Sequence, residues 1–295
     1  MVSQRVSTTA SRAHRRIRIS QMVIAFLIVI VGVIIVFPIY WMILSTIQPY
    51  KYTLVYSPSL FLRGIDLSPF HNVFLPAPGI VLDLGPWLWN SAQVALMVTF
   101  ICLVLSLPGA YTLSKLKWKA KPAFGFFILL TQMMPGAIII VPILRIYRTL
   151  NLINNLPALA FVQAAFALPI CIWILKNVFD SVPVEVIESA LIEGCGQMGV
   201  LRRIMVPLSI PGLVAVCVVA FFFSWNEFLF ASTFITPDSG LLPGTVGLSS
   251  LIGQFDTPIQ LLLAAGLIFA LPPVVFYILI QRYMIAGLTA GAVKG

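Results

Sequence analysis

Six long windows of the chain contain no charged side chain: residues 19–50, 84–114, 122–144, 149–175, 204–226 and 257–281. A helix crosses the hydrocarbon core of a bilayer with about 20 apolar residues, so each window can hold one. Only 9% of the 295 residues are charged, 60% are apolar, and mean hydropathy is +1.04. A soluble domain normally carries about 25% charged residues; this chain cannot cover a water-facing surface of its size. The pattern predicts an all-α integral membrane protein with six transmembrane helices, near 21–46, 88–113, 123–145, 156–177, 209–234 and 259–283. A seventh charge-free window, 239–255, holds Gly240, Pro243, Gly244, Gly247 and Gly253 and reads as a loop with a short helical turn.

Charge orients these spans. Residues 1–20 carry Arg5, Arg12, Arg15, Arg16 and Arg18 and no acid. The apolar run that follows far exceeds the roughly 7–15 residues of a secretory signal core and reads as a retained first span. An even number of spans puts both termini on one side. That side would hold the tail, 115–121 (Lys115, Lys117, Lys119, Lys121), 176–203 (Lys176, Arg202, Arg203), Arg282 and Lys294, fourteen of the eighteen basic residues. Lys51, Arg63, Arg145 and Arg148 fall opposite. Cytoplasmic segments are enriched in Lys and Arg, so both termini are expected in the cytoplasm. The net charge of +9 follows this edge placement and implies no nucleic-acid partner.

The domain reading is a basic cytoplasmic tail over 1–20, a transmembrane domain over 21–283 with a polar cytoplasmic loop at 178–208, and a cytoplasmic tail over 284–295. Residues 47–87 and 235–258 form the outside loops, either as partner contacts or as packing over the span ends. Cys102, Cys171 and Cys217 fall in apolar runs and Cys195 in a polar loop, without metal-ligand spacing. His14 and His71 lie outside the spans. There is no G-x-x-x-x-G-K-[ST] motif, so the chain is not expected to hydrolyse ATP. No catalytic residue, metal site or cofactor is predicted.

The most informative segment runs from Asp180 to Pro207. Ser181 or Asp180 is suited to cap a helix, Pro183 to its first turn, and Glu185 to the acid-favouring N-terminus. Val184, Ile187, Leu191 and Ile192 form one apolar stripe, and Gly194 is suited to a helix end with positive φ. Such a helix could lie on the bilayer surface or dock on a partner. Its polar face is acidic, whereas anionic lipid attracts basic residues, which favours a basic protein partner. Polar groups within the spans mark a pathway or interhelical hydrogen bonds; Asn90, Gln132, Gln163, Asn226 and Glu227 are the candidates.

The spacing Glu188-Ser189-Ala190, three residues, Gly194, nine residues, Ile204-Met205-Val206-Pro207 resembles the EAA loop of binding-protein-dependent ABC importer permeases. Phe223-Ser224-Trp225-Asn226-Glu227-Phe228 and Gln132-Met133-Met134-Pro135-Gly136 resemble segments of the carbohydrate branch. The ending Gln281-Arg282-Tyr283 with Gly287 to Gly295 resembles the tail of the smaller maltose-type permease subunit. Ser189, Glu193, Cys195 and Val206 depart from the usual residues, all with side chains of similar size.

The resemblance implies a permease subunit of the bacterial cytoplasmic (inner) membrane, importing a sugar, with an oligosaccharide favoured. Its partners would be a second homologous permease, two ATP-binding subunits, and an extracellular or periplasmic solute-binding protein. Glu188, Ser189, Ala190, Glu193, Gly194, Arg202 and Pro207 would couple the chain to the ATPase, and Gly291 and Lys294 of the tail would also contact it. Gln132, Asn226 and Glu227 would lie along the translocation pathway. Asp238, Gly253 and Asp256 would meet the binding protein. Two alternatives remain at this point: an ion-coupled secondary transporter, and an ABC permease for a polyol or glycerol phosphate.

Overall fold

The computed structural model describes residues 3–53, 59–75, 82–252 and 259–292, with side chains described between 21 and 283. The principal helices are α1 (Ser3–Ile47), α2 (Leu84–Ser114), α3 (Lys121–Thr131), α4 (Gly136–Thr149) and α5 (Leu156–Asp180). They are followed by α6 (Val184–Ile192), α7 (Ile210–Trp225), α8 (Leu229–Phe234), α9 (Gly244–Ser250) and α10 (Ile259–Ala292). Among the described residues there is no strand. That is the expected outcome where lipid leaves backbone N–H and C=O groups no partner but the segment itself.

Four helical stretches are long and apolar enough to cross a membrane: Gln21–Ile47, Leu84–Ser114, Leu156–Asp180 and Ile259–Tyr283. Two bent pairs bring the number up to six if each is one span. Here the structure corrects the continuous helices expected over 123–145 and 209–234. The first breaks between α3 and α4 with a bend of 91°. Pro135 supplies no N–H and disfavours helical geometry at the residue before it; its own backbone is extended. The second ends at Trp225 and restarts at Leu229. Residues 3–20 and 284–292, expected as tails, continue α1 and α10 as helix. Gly287 and Gly291 weaken a helix by about 1 kcal/mol each relative to Ala, which extension of an existing helix can absorb.

The chain divides into two compact units, Met1–His71 with Ile259–Leu267, and Asn72–Pro258 with Ile268–Gly295. In the first, Gln260 Nε2 donates to the carbonyl of Gln48 at 2.6 Å, and the α1 side chains Leu44, Ser45 and Thr46 are buried. The apolar run of α1 before them is exposed along its length.

The second unit is built on α2, α5 and α7. Helices α2 and α5 run parallel: Cys102 Sγ approaches the Ala164 carbonyl at 3.7 Å, Gly109 faces Ile172, and Ser114 Oγ donates to Asp180 Oδ1 at 2.6 Å. Small residues recur on both helices, with Ala110, Ala160, Ala164 and Ala167 all buried, while the buried Ala95 packs with Phe221 and Trp225 of α7. In a membrane, where lipid tails are as apolar as any side chain, close backbone approach over small residues is what holds helices together. Helix α7 runs antiparallel to α5, with Gly212 against Val178 at one end and Ser224 against Gln163 at the other. The second half of α10 stacks Phe276 on Phe221 at 4.0 Å between ring centroids and Phe269 on Trp225 at 5.0 Å.

Gly212 marks a tight approach of α7 to α5, since an added Cβ would lie 2.8 Å from Val178. Gly212→Leu is expected to destabilise the chain by about 1–3 kcal/mol, the usual cost of overpacking. Thermal aggregation in detergent measures this, and Val178→Ala should restore part of the loss.

Candidate functional site

Helix α6 begins at Pro183, whose extended backbone enters the first turn without a side-chain cap. The capping expected from Ser181 or Asp180 is therefore not formed. Asp180 closes α5 and pairs with Lys176 at 2.5 Å, while the Ser181 hydroxyl donates to the Val178 carbonyl at 2.7 Å. The helix ends as the sequence predicts. Gly194 adopts φ +89°, its N–H donates to the Leu191 carbonyl at 3.1 Å, and the Cys195 N–H donates to the Ala190 carbonyl at 3.0 Å. This is the two-bond closure that a left-handed residue permits after a helix. An added Cβ at Gly194 would meet nothing within 4 Å, so backbone conformation and not space demands glycine there.

The face buried by α6 is narrower than expected. Ile187 and Ala190 are buried, whereas Val184 is exposed and Ile192 is 86% exposed. The helix has nine residues and packs on one side only, against the turn at Gln197–Val200, so Val184 and Ile192 at its two ends are left uncovered. Glu185, Glu188 and Glu193 are exposed among them, as is Met198. Ser189, at a position where the resembled motif carries Ala, returns its hydroxyl to the Glu185 carbonyl at 2.9 Å and leaves no polar group unpaired. Arg202, Arg203 and Pro207 are exposed on the helical stretch Gln197–Leu208, which bends by 83° into α7.

Two contacts that sequence reasoning missed clamp this loop to α2. Lys115 Nζ donates to the Val182 carbonyl at 2.6 Å, one residue before Pro183, and Tyr111 Oη donates to Gln197 Oε1 at 2.5 Å, just past the Gly194 turn. Partial burial holds the Lys115 ammonium below the ordinary lysine range, while Asp180 and Glu185 pull the other way. Nothing in the linear pattern pairs residue 111 with 197. The only signal was position: Tyr111 falls near the end of a charge-free window and Lys115 directly follows it.

A second polar cluster lies at the break between α7 and α8. Glu227 Oε1 accepts from the Phe230 N–H at 2.8 Å, and Oε2 accepts from the Ala231 N–H at 3.1 Å and from Gln163 Nε2 at 2.9 Å. Gln163 Oε1 in turn accepts from the Ser224 hydroxyl at 2.6 Å. Glu227 thus caps α8 and ties it to α5. Asn226 is exposed and its amide donates back to Phe222; Gln132 is exposed and donates to the Phe166 carbonyl at 3.1 Å. Asn90 is buried and donates to the Leu242 carbonyl at 3.2 Å, holding the segment before α9. Asp238 is exposed in the turn Pro237–Ser239. Gly291 lies within α10, and Gly253, Asp256 and Lys294 fall outside the described residues.

Residues 103–289 match the family model of the binding-protein-dependent transport system inner membrane component. The match takes in α5, both breaks, the α6 loop and the Gly194 turn. The chain belongs to this family. It is 31% identical over 264 residues to the inner membrane ABC transporter permease protein YcjP of Escherichia coli, covering 89% of this chain and 92% of that one. It is 30% identical over 268 residues to the trehalose/maltose transport system permease protein MalG of Thermococcus litoralis, covering 90% and 94%. Its fold matches a solved bacterial ABC transporter involved in the import of the acidic polysaccharide alginate, with TM-score 0.77 and 20% identity over 90% of this chain and 96% of that one. The chain is thus a multi-pass permease subunit of the cytoplasmic (inner) membrane, and ATP hydrolysis belongs to separate subunits of such a system.

Lys115→Met should free the Val182 carbonyl while leaving the helices in place. Amide exchange over 181–186 is expected to rise at least several-fold, since hydrogen bonds to charged groups contribute about 1.5–3 kcal/mol. Unchanged exchange there would show that the clamp does not hold the loop.

Proposed function

We propose that this permease imports a sugar, with an oligosaccharide as the favoured substrate, through six spans with both termini cytoplasmic. In this reading α3 with α4 make one bent span, and the stretch Gln197–Leu208 with α7 makes the other. The distribution of basic residues supports the orientation, and the carbohydrate systems named for related permeases support the substrate class. A second, homologous but non-identical permease would complete the pathway. Two ATP-binding subunits would drive it, and a solute-binding protein would deliver substrate at the opposite face.

The observation that carries this reading is the exposed acidic and apolar face of α6, closed by a glycine turn and clamped to α2. A face that leaves Ile192 and Met198 uncovered beside Glu185, Glu188 and Glu193 suits a protein cleft with a basic rim better than water or anionic lipid. Glu188 would pair with a basic group of the ATPase, and Ser189 and Ala190 would allow close approach. Glu193 and Gly194 would set the exit direction, and Arg202 and Pro207 would carry displacement into α7. Gly291 and Lys294 would reach the ATPase pair from α10. Asp238, Gly253 and Asp256 would meet the binding protein. Gln132, Asn226 and Glu227 would border the pathway, Glu227 through its hold on α8.

Gly194→Val forces a β-branched residue into left-handed geometry, whereas Asn tolerates it. In the reconstituted importer Gly194→Val should lose most sugar uptake while the ATPases keep hydrolysing, and Gly194→Asn should retain more transport. Normal uptake with Gly194→Val would overturn the assignment of α6.

A further inference from the structure

Where α2 and α5 end and α3 begins, the three helices leave a cavity of about 210 Å³ between them. Leu113 of α2, Gly125 and Phe126 of α3 and Trp173 of α5 wall it, with Lys121 and Lys176 beside them. Leu113 belongs to a packed core with Ile128 and Ile172, so that wall is fixed. Gly125 keeps the space open. An added Cβ there would make ordinary contact with Trp173 at 3.6 Å and Leu113 at 3.8 Å, and a longer side chain would enter the cavity.

The cations are held in place without being neutralised. Lys121 Nζ donates to the Ser114 carbonyl at 2.8 Å and to the Leu116 carbonyl at 3.4 Å, which leaves one of its three donors unused. Among the described residues no carboxylate pairs with it. Lys176 pairs with Asp180 and also lies 5.3 Å from the centre of the Trp173 ring. Lys115 feels Asp180, Glu185 and Lys121 together. With Lys117 and Lys119 exposed in the same connection, five lysines stand against two carboxylates.

The aromatic side chains mark the level of this cluster. Trp118 stacks at a tilt on Phe124, 5.6 Å between ring centroids, and Trp173 lies at the same end of α5. Tryptophan concentrates at the headgroup layer, where lysines extend their ammonium groups toward water. Gly125 lies one turn beyond Lys121, about 6 Å further along α3. The site therefore offers cations at its rim and apolar walls one turn deeper. That order matches a molecule with an anion at one end and a hydrocarbon chain behind it. In the orientation proposed above this is the cytoplasmic side, whose leaflet carries anionic lipid, and basic pockets between spans on that side suit lipid headgroups. A soluble acidic partner would meet the lysines and leave the apolar cavity empty.

We propose that this cavity binds an anionic phospholipid of the cytoplasmic leaflet, with its phosphate between Lys121 and Lys176 and the start of one acyl chain against Gly125, Phe126 and Trp173. The inference rests on the orientation proposed above. The lipid lies against the last turns of α2, from which Lys115 and Tyr111 grip the α6 loop, so the charge of the leaflet bears on how that loop is seated.

Native mass spectrometry of the intact importer tests this, counting the lipids retained from equal amounts of phosphatidylglycerol and phosphatidylcholine. Phosphatidylglycerol is expected to be retained several-fold over phosphatidylcholine. Gly125→Leu, which keeps every charge, and Lys121→Gln should each lower that retention several-fold. Lys117→Gln removes an exposed charge outside the cavity and should change it little; the mass of the assembled complex in the same spectra shows that each variant folds. No preference for phosphatidylglycerol, or equal loss in both lysine variants with Gly125→Leu unaffected, would overturn the site. Equal occupancy by glycerophosphate, which has no acyl chain, would overturn the lipid assignment. A benzophenone side chain at position 126 in native membranes should cross-link to lipid, and cross-links to another protein instead would overturn the proposal in favour of a subunit contact. Orientation is read separately, from maleimide labelling of Lys119→Cys in a Cys195→Ser background. Labelling of intact spheroplasts by an impermeant reagent would overturn the cytoplasmic placement, whereas loss of the lipid preference alone would overturn only the lipid site.

Discussion

Close backbone approach between α2 and α5, running parallel over a seam of alanines, organises the second unit. Lipid offers no hydrophobic drive for helices to associate, so the seam depends on close packing over small side chains. Once it forms, α7 packs antiparallel against α5 through Gly212, and α10 adds its aromatic stack against Phe221 and Trp225. The two ends of the seam then become distinct structures. One holds the α6 loop; the other holds the Glu227 cap and the segment leading to α9.

This arrangement gives the proposed coupling a physical route. The α6 loop is not a free strap between spans. Lys115 and Tyr111 grip it on both sides of the helix, at Val182 and Gln197, from the last turns of α2. A force applied to α6 by a docked ATPase would pass directly into α2 through Lys115 and into α7 through the bent stretch Gln197–Leu208. At the far end, Glu227 links α8 to α5 through Gln163, so the broken end of α7 and α8 stays tied to the same seam. The breaks in the helices are then sites where displacement can change direction without unfolding a core helix.

Much of this was legible in sequence because membrane helices are written in charge spacing. The unbroken spans start or end within a few residues of where the charge-free windows placed them, as with Leu156 and Tyr283. Gly194 was legible because a glycine after an apolar stripe has few structural uses. The bends were not, since hydropathy is blind to direction: Met134-Pro135 and Ser209 both lie inside charge-free windows without interrupting the apolar pattern. The inward face of α6 was misread for a related reason. Periodicity names a stripe, but a nine-residue helix packed against one short turn buries only Ile187 and Ala190. The clamps from Lys115 and Tyr111 join residues 67 and 86 positions apart, and no local rule reports such pairs.

The central claim is that α6 is the surface on which ATP hydrolysis is felt. Cross-linking from Glu188→Cys in native membranes, in a Cys195→Ser background, tests it most directly. The account predicts an adduct between this chain and an ATP-binding subunit, with a yield that changes when nucleotide is added. Adducts to lipid alone, or none with any ATP-binding protein while the importer remains assembled and active, would contradict it.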